Sequence, residues 1–153
     1  YRRFTWASMP SLQSPVTPFA PGDLAMLPMP GHSSDHHVVW DASTRTLFSG
    51  DLSLGERVEA IHPSEDPYAI MDSLRRAIAL EPARMFCAHR GEVANPGRAL
   101  GLRLAWLEET VGRIEQQVAA GDDDGAIARR VLGRESITGY VSNGEYAHVN
   151  IVK

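Results

Sequence analysis

Six histidines stand in this sequence, and three of them, His32, His36 and His37, fall within six residues of one another in the stretch PGHSSDHH. A Gly50–Asp51 pair lies 19 residues beyond His32, and His89 lies 38 residues beyond Asp51. Imidazole and carboxylate together are the donors that suit Zn²⁺, Mn²⁺ or Fe²⁺. Pro30 and Gly31 place His32 on a turn. Asp51 comes just as the apolar run TLFS (46–49) ends, and His89 just as the run ARMFCA (83–88) ends. If those two runs are neighbouring strands of one sheet, His32, Asp51 and His89 emerge at the same sheet edge. The spacing alone is unspecific, and a lone histidine on a loop is ordinarily just solvated.

The elements that must position these residues follow from the local pattern. Residues 1–30 hold six of the ten prolines, Pro10, Pro15, Pro18, Pro21, Pro28 and Pro30. Proline fixes φ and lacks a ladder donor, so this stretch reads as mostly loop with short extended pieces. HVVW (37–40) and TLFS (46–49) flank the polar DASTR, which is a hairpin signal. Asp66 and Pro67 form an N-cap and first-turn pair, and Ile70, Met71, Leu74, Ala77 and Ile78 recur at helical spacing, so 67–80 is a helix. ARMFCA is a short buried strand. Asn95 and Pro96 start a second helix. Its stripe of Leu100, Leu104, Leu107, Val111, Ile114 and Val118 faces a core. Asp122, Asp123 and Asp124 suit the start of a third helix, and Gly133 its end. Ser142 is read as the cap of a last helix running from Asn143 to the C-terminus.

The remaining candidates have plain structural readings. Cys87 sits inside an apolar strand as a small buried hydrophobe. His62, before Pro63, reads as solvated. His148 reads as packing or capping within the last helix. Ser33, Ser34 and Ser49 have no spacing that suits nucleophilic catalysis. Arg75 and Arg76 belong to a solvated helix face, and Trp40 and Trp106 to the core or an interface.

Composition bounds the function classes. The chain has 153 residues, an apolar fraction of 43% and a formal charge of −4. One domain is the default at this length, with room for a small appendage. The acidic balance gives no electrostatic reason to expect a nucleic-acid or membrane-surface partner. The single cysteine excludes an intrachain disulfide and a cysteine-cluster zinc site, and suits a reducing, cytoplasmic setting. No apolar run approaches the roughly 20 residues that span a bilayer. The first ten residues, YRRFTWASMP, show no signal-peptide core, and the start at Tyr1 suggests a trimmed chain.

PGHSSDH, LFSGD and AHRGEVANP, in that order, resemble three successive motifs of the metallo-β-lactamase-fold hydrolases, in the glyoxalase-II-like and endoribonuclease-like branches. The resemblance runs from about residue 25 onward and takes in the tail GEYAHVNIVK, which is similar to the last helix of that family's C-terminal extension. It implies that His32 and His89 each bind one of two metals and that Asp51 bridges them. His36, four residues after His32, matches a histidine that supports the ligands from behind. His37 has no counterpart.

What the resemblance implies for the whole is an α+β fold, the second half of an αββα sandwich with a C-terminal helical appendage. Residues 1–95 are then the C-terminal half of the metallo-β-lactamase-like domain, and 96–153 the helical extension. The family's His-x-His-x-Asp-His run is absent, and no histidine precedes His32. The implied cofactor of the complete protein is two zinc ions, with manganese or iron as alternatives. The implied activity is attack of a metal-bound hydroxide on a thioester or ester, with a small molecule as substrate. The implied partner is a missing N-terminal half or a second copy of the chain. The rival reading is a catalytically inactive interaction or assembly module of the same fold.

Overall fold

Alternating side chains and one crossover determine the architecture. The computed structural model describes residues 24–57 and 61–152. The expectation of loop for residues 1–23 lies outside the described residues. Five strands form one sheet in chain order: β1 (Leu24–Pro28), β2 (His37–Asp41), β3 (Thr46–Gly50), β4 (Arg84–Cys87) and β5 (Gly91–Val93). β1 through β3 form an antiparallel meander. β3 pairs in parallel with β4, because helix α1 (Pro67–Ala79) intervenes and carries the chain back. β4 then turns into β5, again antiparallel. The expected α+β class holds. Among the described residues β1 is an edge strand, where proline at its last position, Pro28, is tolerated.

The register sorts the side chains into two faces. One row runs Ala25–Trp40–Leu47–Met85–Val93, and Leu47 and Met85 in it are 0% exposed. This row meets the buried faces of α1 (Ile70, Met71, Leu74, Ala77) and α2 (Pro96–Ala119; Leu100, Leu107, Val111) in one core. α1 begins where the sequence places it: Asp66 caps the Tyr68 and Ala69 N–H groups at 2.9 and 3.1 Å. Asn95 precedes α2 with φ +49° and makes no side-chain cap. The stripe on α2 is buried or half-buried over its length except at Val118. Helix α3 (Asp124–Leu132) is capped by Asp123 and closed by Gly133.

The tail differs from the expectation. Helix α4 (Ile137–Val141) is capped by Ser136, and Ser142 ends it. Asn143 and Gly144 adopt φ of +54° and +85°. Consecutive left-handed residues stop a helix, so no helix starts there. The chain closes instead with a short 3₁₀ turn, His148–Ile151. His148 opens that turn and is buried, as a packing residue should be.

The second row of the register is Met26–Val39–Phe48–Phe86–Glu92, on the sheet face away from α1 and α2. Met26 is 69% and Phe48 45% exposed. The Phe48 and Phe86 rings stack at 5.5 Å, and the Arg84 guanidinium lies 5.0 Å over Phe86 while bonding Glu92. Apart from Arg84 over Phe86, neither α1 nor α2 covers this row, and Met26 and Phe48 stay exposed among the described residues.

Neighbouring residues on β3 therefore give a direct contrast. Leu47→Ala should cost about 3 kcal/mol, as a core truncation that leaves a cavity. Phe48→Ala in the same chain should cost less, about 1 kcal/mol, since its ring is half wet. Urea unfolding of both variants measures this, and equal losses would mean that the faces are misassigned.

Candidate metal site

Strand direction brings the candidate residues together. β1, β3 and β4 run the same way, so the loops that leave their carboxyl ends share one sheet edge. His32 lies on the loop after β1, Asp51 follows β3, and His89 stands two residues after β4. His32 Nε2 lies 3.5 Å from Asp51 Oδ2, and His89 Nε2 lies 3.2 Å from Asp51 Oδ1. The three residues that the motif resemblance implies as ligands are thus gathered, with one imidazole near each oxygen of the carboxylate.

The loop after β1 is pinned at several points. Met29 N–H donates to His36 C=O at 2.9 Å and closes its neck. The Ser73 hydroxyl donates to Pro30 C=O at 2.7 Å, and Asp66 N–H donates to Gly31 C=O at 2.8 Å, so the loop rests on the start of α1. Gly31 has φ +134°, and a Cβ there would come within 2.5 Å of the Ile70 backbone nitrogen. Only glycine allows so close an approach.

His36 ties this loop to the one after β3. Its Nδ1 lies 2.9 Å from Met29 C=O, and its Nε2 lies 3.1 Å from the Asp51 amide nitrogen. An amide can only donate, so Nε2 accepts and the ring proton sits on Nδ1, donated to Met29. Both ring nitrogens are engaged by backbone, which leaves none for a metal. Gly50, at φ +53°, makes room for the ring: a Cβ there would lie 2.8 Å from Nε2. His37 instead turns its Nδ1 to Asp35 C=O at 2.7 Å, outside the cluster.

One residue of the cluster was not anticipated. Glu65, at the foot of α1, brings Oε1 within 3.2 Å of His32 Nδ1. Two carboxylates thus flank His32. The hydrogen bond to Glu65 and the charges of Glu65 and Asp51 outweigh partial burial and hold its pKa above the ordinary imidazole value. Nothing local to SEDP marks Glu65. The signal lies in the Asp66–Gly31 bond, which joins segments 35 residues apart.

The other expectations resolve simply. Cys87 is buried. His62 is partnered rather than solvated, with Ser64 at 2.6 Å and Glu145 at 3.6 Å. Ser49 is buried and donates to Phe86 C=O at 3.3 Å. Arg75 is exposed and paired with Asp72 and Glu108. Trp40 and Trp106 both pack against the core.

The donor set fits part of a metal centre. Asp51 Oδ1 is buried and has no hydrogen-bond partner, because His89 Nε2, though near, is not aligned to donate. An anionic oxygen buried without a donor calls for a cation. Among the described residues no group of three or more His, Cys, Asp or Glu could hold a metal ion by itself. Each side of Asp51 offers one imidazole and a shared carboxylate oxygen, fewer than the three protein ligands usual for catalytic zinc.

A family model, the Metallo-beta-lactamase superfamily, matches residues 15–89. The chain is 36% identical over 89 residues to the Beta-lactamase-like protein 2 homolog of Drosophila melanogaster, covering 58% of this chain and 24% of that protein. It is also 36% identical over 66 residues to the homolog of the same name in Caenorhabditis elegans, covering 43% and 21%. A solved metallo-beta-lactamase family protein from Thermus thermophilus superposes with a TM-score of 0.56 at 18% identity, covering 84% of this chain and 40% of that one. The matched stretch therefore spans about a quarter of the length of the curated relatives.

Proposed function

This chain being a metallo-β-lactamase-fold protein, we propose that it supplies part of a two-metal hydrolase centre, with His32 on one metal, His89 on the other and Asp51 between them. The observation that carries the reading is the Asp51 carboxylate, set between two imidazoles with Oδ1 buried and unpartnered. Zinc suits this donor set best, with manganese or iron as alternatives. The remaining ligands come from a part of the whole protein that is not in this chain, which has no histidine before His32.

When bound, the metals would supply an activated water and polarise the substrate oxygen. The chain's own residues prepare that chemistry. His36 holds the Asp51 backbone amide, so the carboxylate keeps its place when its charge is shared. The loop after β1, braced on α1, fixes the approach of His32. His89 is the more exposed of the two imidazoles. An acyl centre of a thioester or ester is the proposed target, because attack by water on a polarised carbonyl needs no further protein nucleophile, and Cys87 and Ser49 are buried.

The apolar row Met26–Val39–Phe48–Phe86 supports a second element of the reading: in the whole protein this face is covered by the upstream half of the domain or by a second copy. Exposed contiguous apolar surface on a sheet is uncommon unless something docks there.

In the complete parent protein, Asp51→Ala should lower hydrolysis of a thioester and ester panel by at least about 100-fold, with the circular dichroism spectrum retained. Near-normal turnover with two metals bound would place the bridge elsewhere. For the covered face, light scattering with intact-mass analysis should find an upstream partner or a dimer. A folded, soluble 16.8 kDa monomer would overturn that element.

A further inference from the structure

Glu65 occupies a position that ligand spacing does not account for. The Asp66–Gly31 backbone bond sets it beside His32. Its side chain is only 10% exposed, and Oε1 lies 3.2 Å from His32 Nδ1, while His32 Nε2 points towards Asp51 Oδ2 at 3.5 Å. A neutral imidazole has one N–H and one lone pair. A carboxylate only accepts. With the proton on Nδ1, Glu65 receives it and the bare Nε2 faces Asp51. Either tautomer leaves one lone pair opposite a carboxylate. With the proton on Nε2 it would face Glu65 at 3.2 Å, a closer approach than the 3.5 Å at which the bare Nε2 of the other tautomer meets Asp51, so the Nδ1–H form is favoured.

Glu65 also acts on a buried cation. Arg103, on α2, is 4% exposed, and its Nε and Nη1 have no hydrogen-bond partner. Its guanidinium lies 4.9 Å over the Trp106 ring. Burial pushes its pKa down to about 10, against the favourable charge of Glu65. A buried cation without donors satisfied is costly, and an anion nearby offsets part of that cost. The charge of Glu65 thus favours a buried cation of α2 as well as the imidazole at the sheet edge.

We propose that Glu65 is a positioning residue of the site: its carboxylate accepts the Nδ1–H of His32 and so locks the tautomer that presents Nε2 to a metal beside Asp51. This rests on His32 being a ligand, the reading proposed above. Carboxylates behind metal-bound histidines act in this way in many sites, and their loss typically costs about 10- to 100-fold in metal affinity. The role assigned to Glu65 acts through His32, not on a substrate.

The test uses the ¹⁵N-histidine-labelled, metal-free chain at alkaline pH, where His32 is neutral, followed by titration with zinc alone against a chromophoric chelator. In the wild type His32 should be the Nδ1–H tautomer. Glu65→Ala should shift it towards Nε2–H and weaken zinc binding about 10- to 100-fold. Glu65→Gln, whose amide oxygen can still accept, should keep the tautomer and lose less. A merely structural role would move the unfolding temperature without moving the tautomer. The proposal is overturned if the wild-type ring is Nε2–H, a result that needs no variant to fold. It is also overturned if Glu65→Ala leaves the tautomer unchanged. If zinc binds without shifting His32 while the tautomer depends on Glu65, the ligand reading falls and the positioning role stands.

Discussion

The hydrogen bond from the Asp51 amide to His36 Nε2 is the joint on which the site depends. The loops after β1 and β3 belong to strands separated in the sheet by β2, and no ladder joins them. His36 spans the gap, with Nδ1 on Met29 C=O at the base of one loop and Nε2 on the amide of the other. Its room comes from Gly50, whose left-handed backbone and missing Cβ let the ring sit against the chain. A buried or half-buried polar bridge of this kind is satisfied at both ends, which is the condition for its being stabilising rather than costly. Placing the ring there commits both nitrogens, and it is this commitment that distinguishes His36 from His32 and His89. Those two keep Nε2 near a carboxylate oxygen and free of any backbone partner among the described residues.

The parallel pairing of β3 with β4 is the second constraint. A parallel neighbour needs a crossover, and α1 provides it. The crossover has two consequences for the site. It puts the ends of β3 and β4 at one edge, which brings His89 to Asp51. It also plants the start of α1, with Glu65 and Asp66, under the loop that carries His32. The core between α1, α2 and the row Trp40–Leu47–Met85 holds that placement, so packing remote from the edge fixes the 3.5 and 3.2 Å approaches of His32 to Asp51 and Glu65.

Much of this was readable from residue types. The β2–β3 hairpin, α1 with its Asp66 cap, the α2 stripe and the placement of Asp51 and His89 at strand ends all follow from local period and capping chemistry. Local pattern placed His32, Asp51 and His89 at turns and strand ends, but it was the likeness of PGHSSDH, LFSGD and AHRGEVANP to metallo-β-lactamase-fold motifs that named them as ligands. Glu65 could not, since its role arises from a contact with a residue distant in the chain, and SEDP reads as an ordinary helix start. The tail was misread for a different reason. Ser142 is a good capping residue, but Asn143 and Gly144 take left-handed conformations and terminate a helix instead. β5 has only three residues, and β1 ends in Pro28 and lies in a proline-rich stretch, so neither stands out from loop.

The central claim is that one edge of this sheet holds half of a two-metal centre, divided about Asp51. Zinc-edge anomalous diffraction from crystals of the chain soaked in excess zinc tests it most directly. The account predicts density beside the Asp51 carboxylate, one position reached by His32 Nε2 and the other by His89 Nε2, with His36 free of metal. Zinc bound only elsewhere, at His62 or His148 for example, with the His32–Asp51–His89 cluster empty at saturating metal, would contradict it.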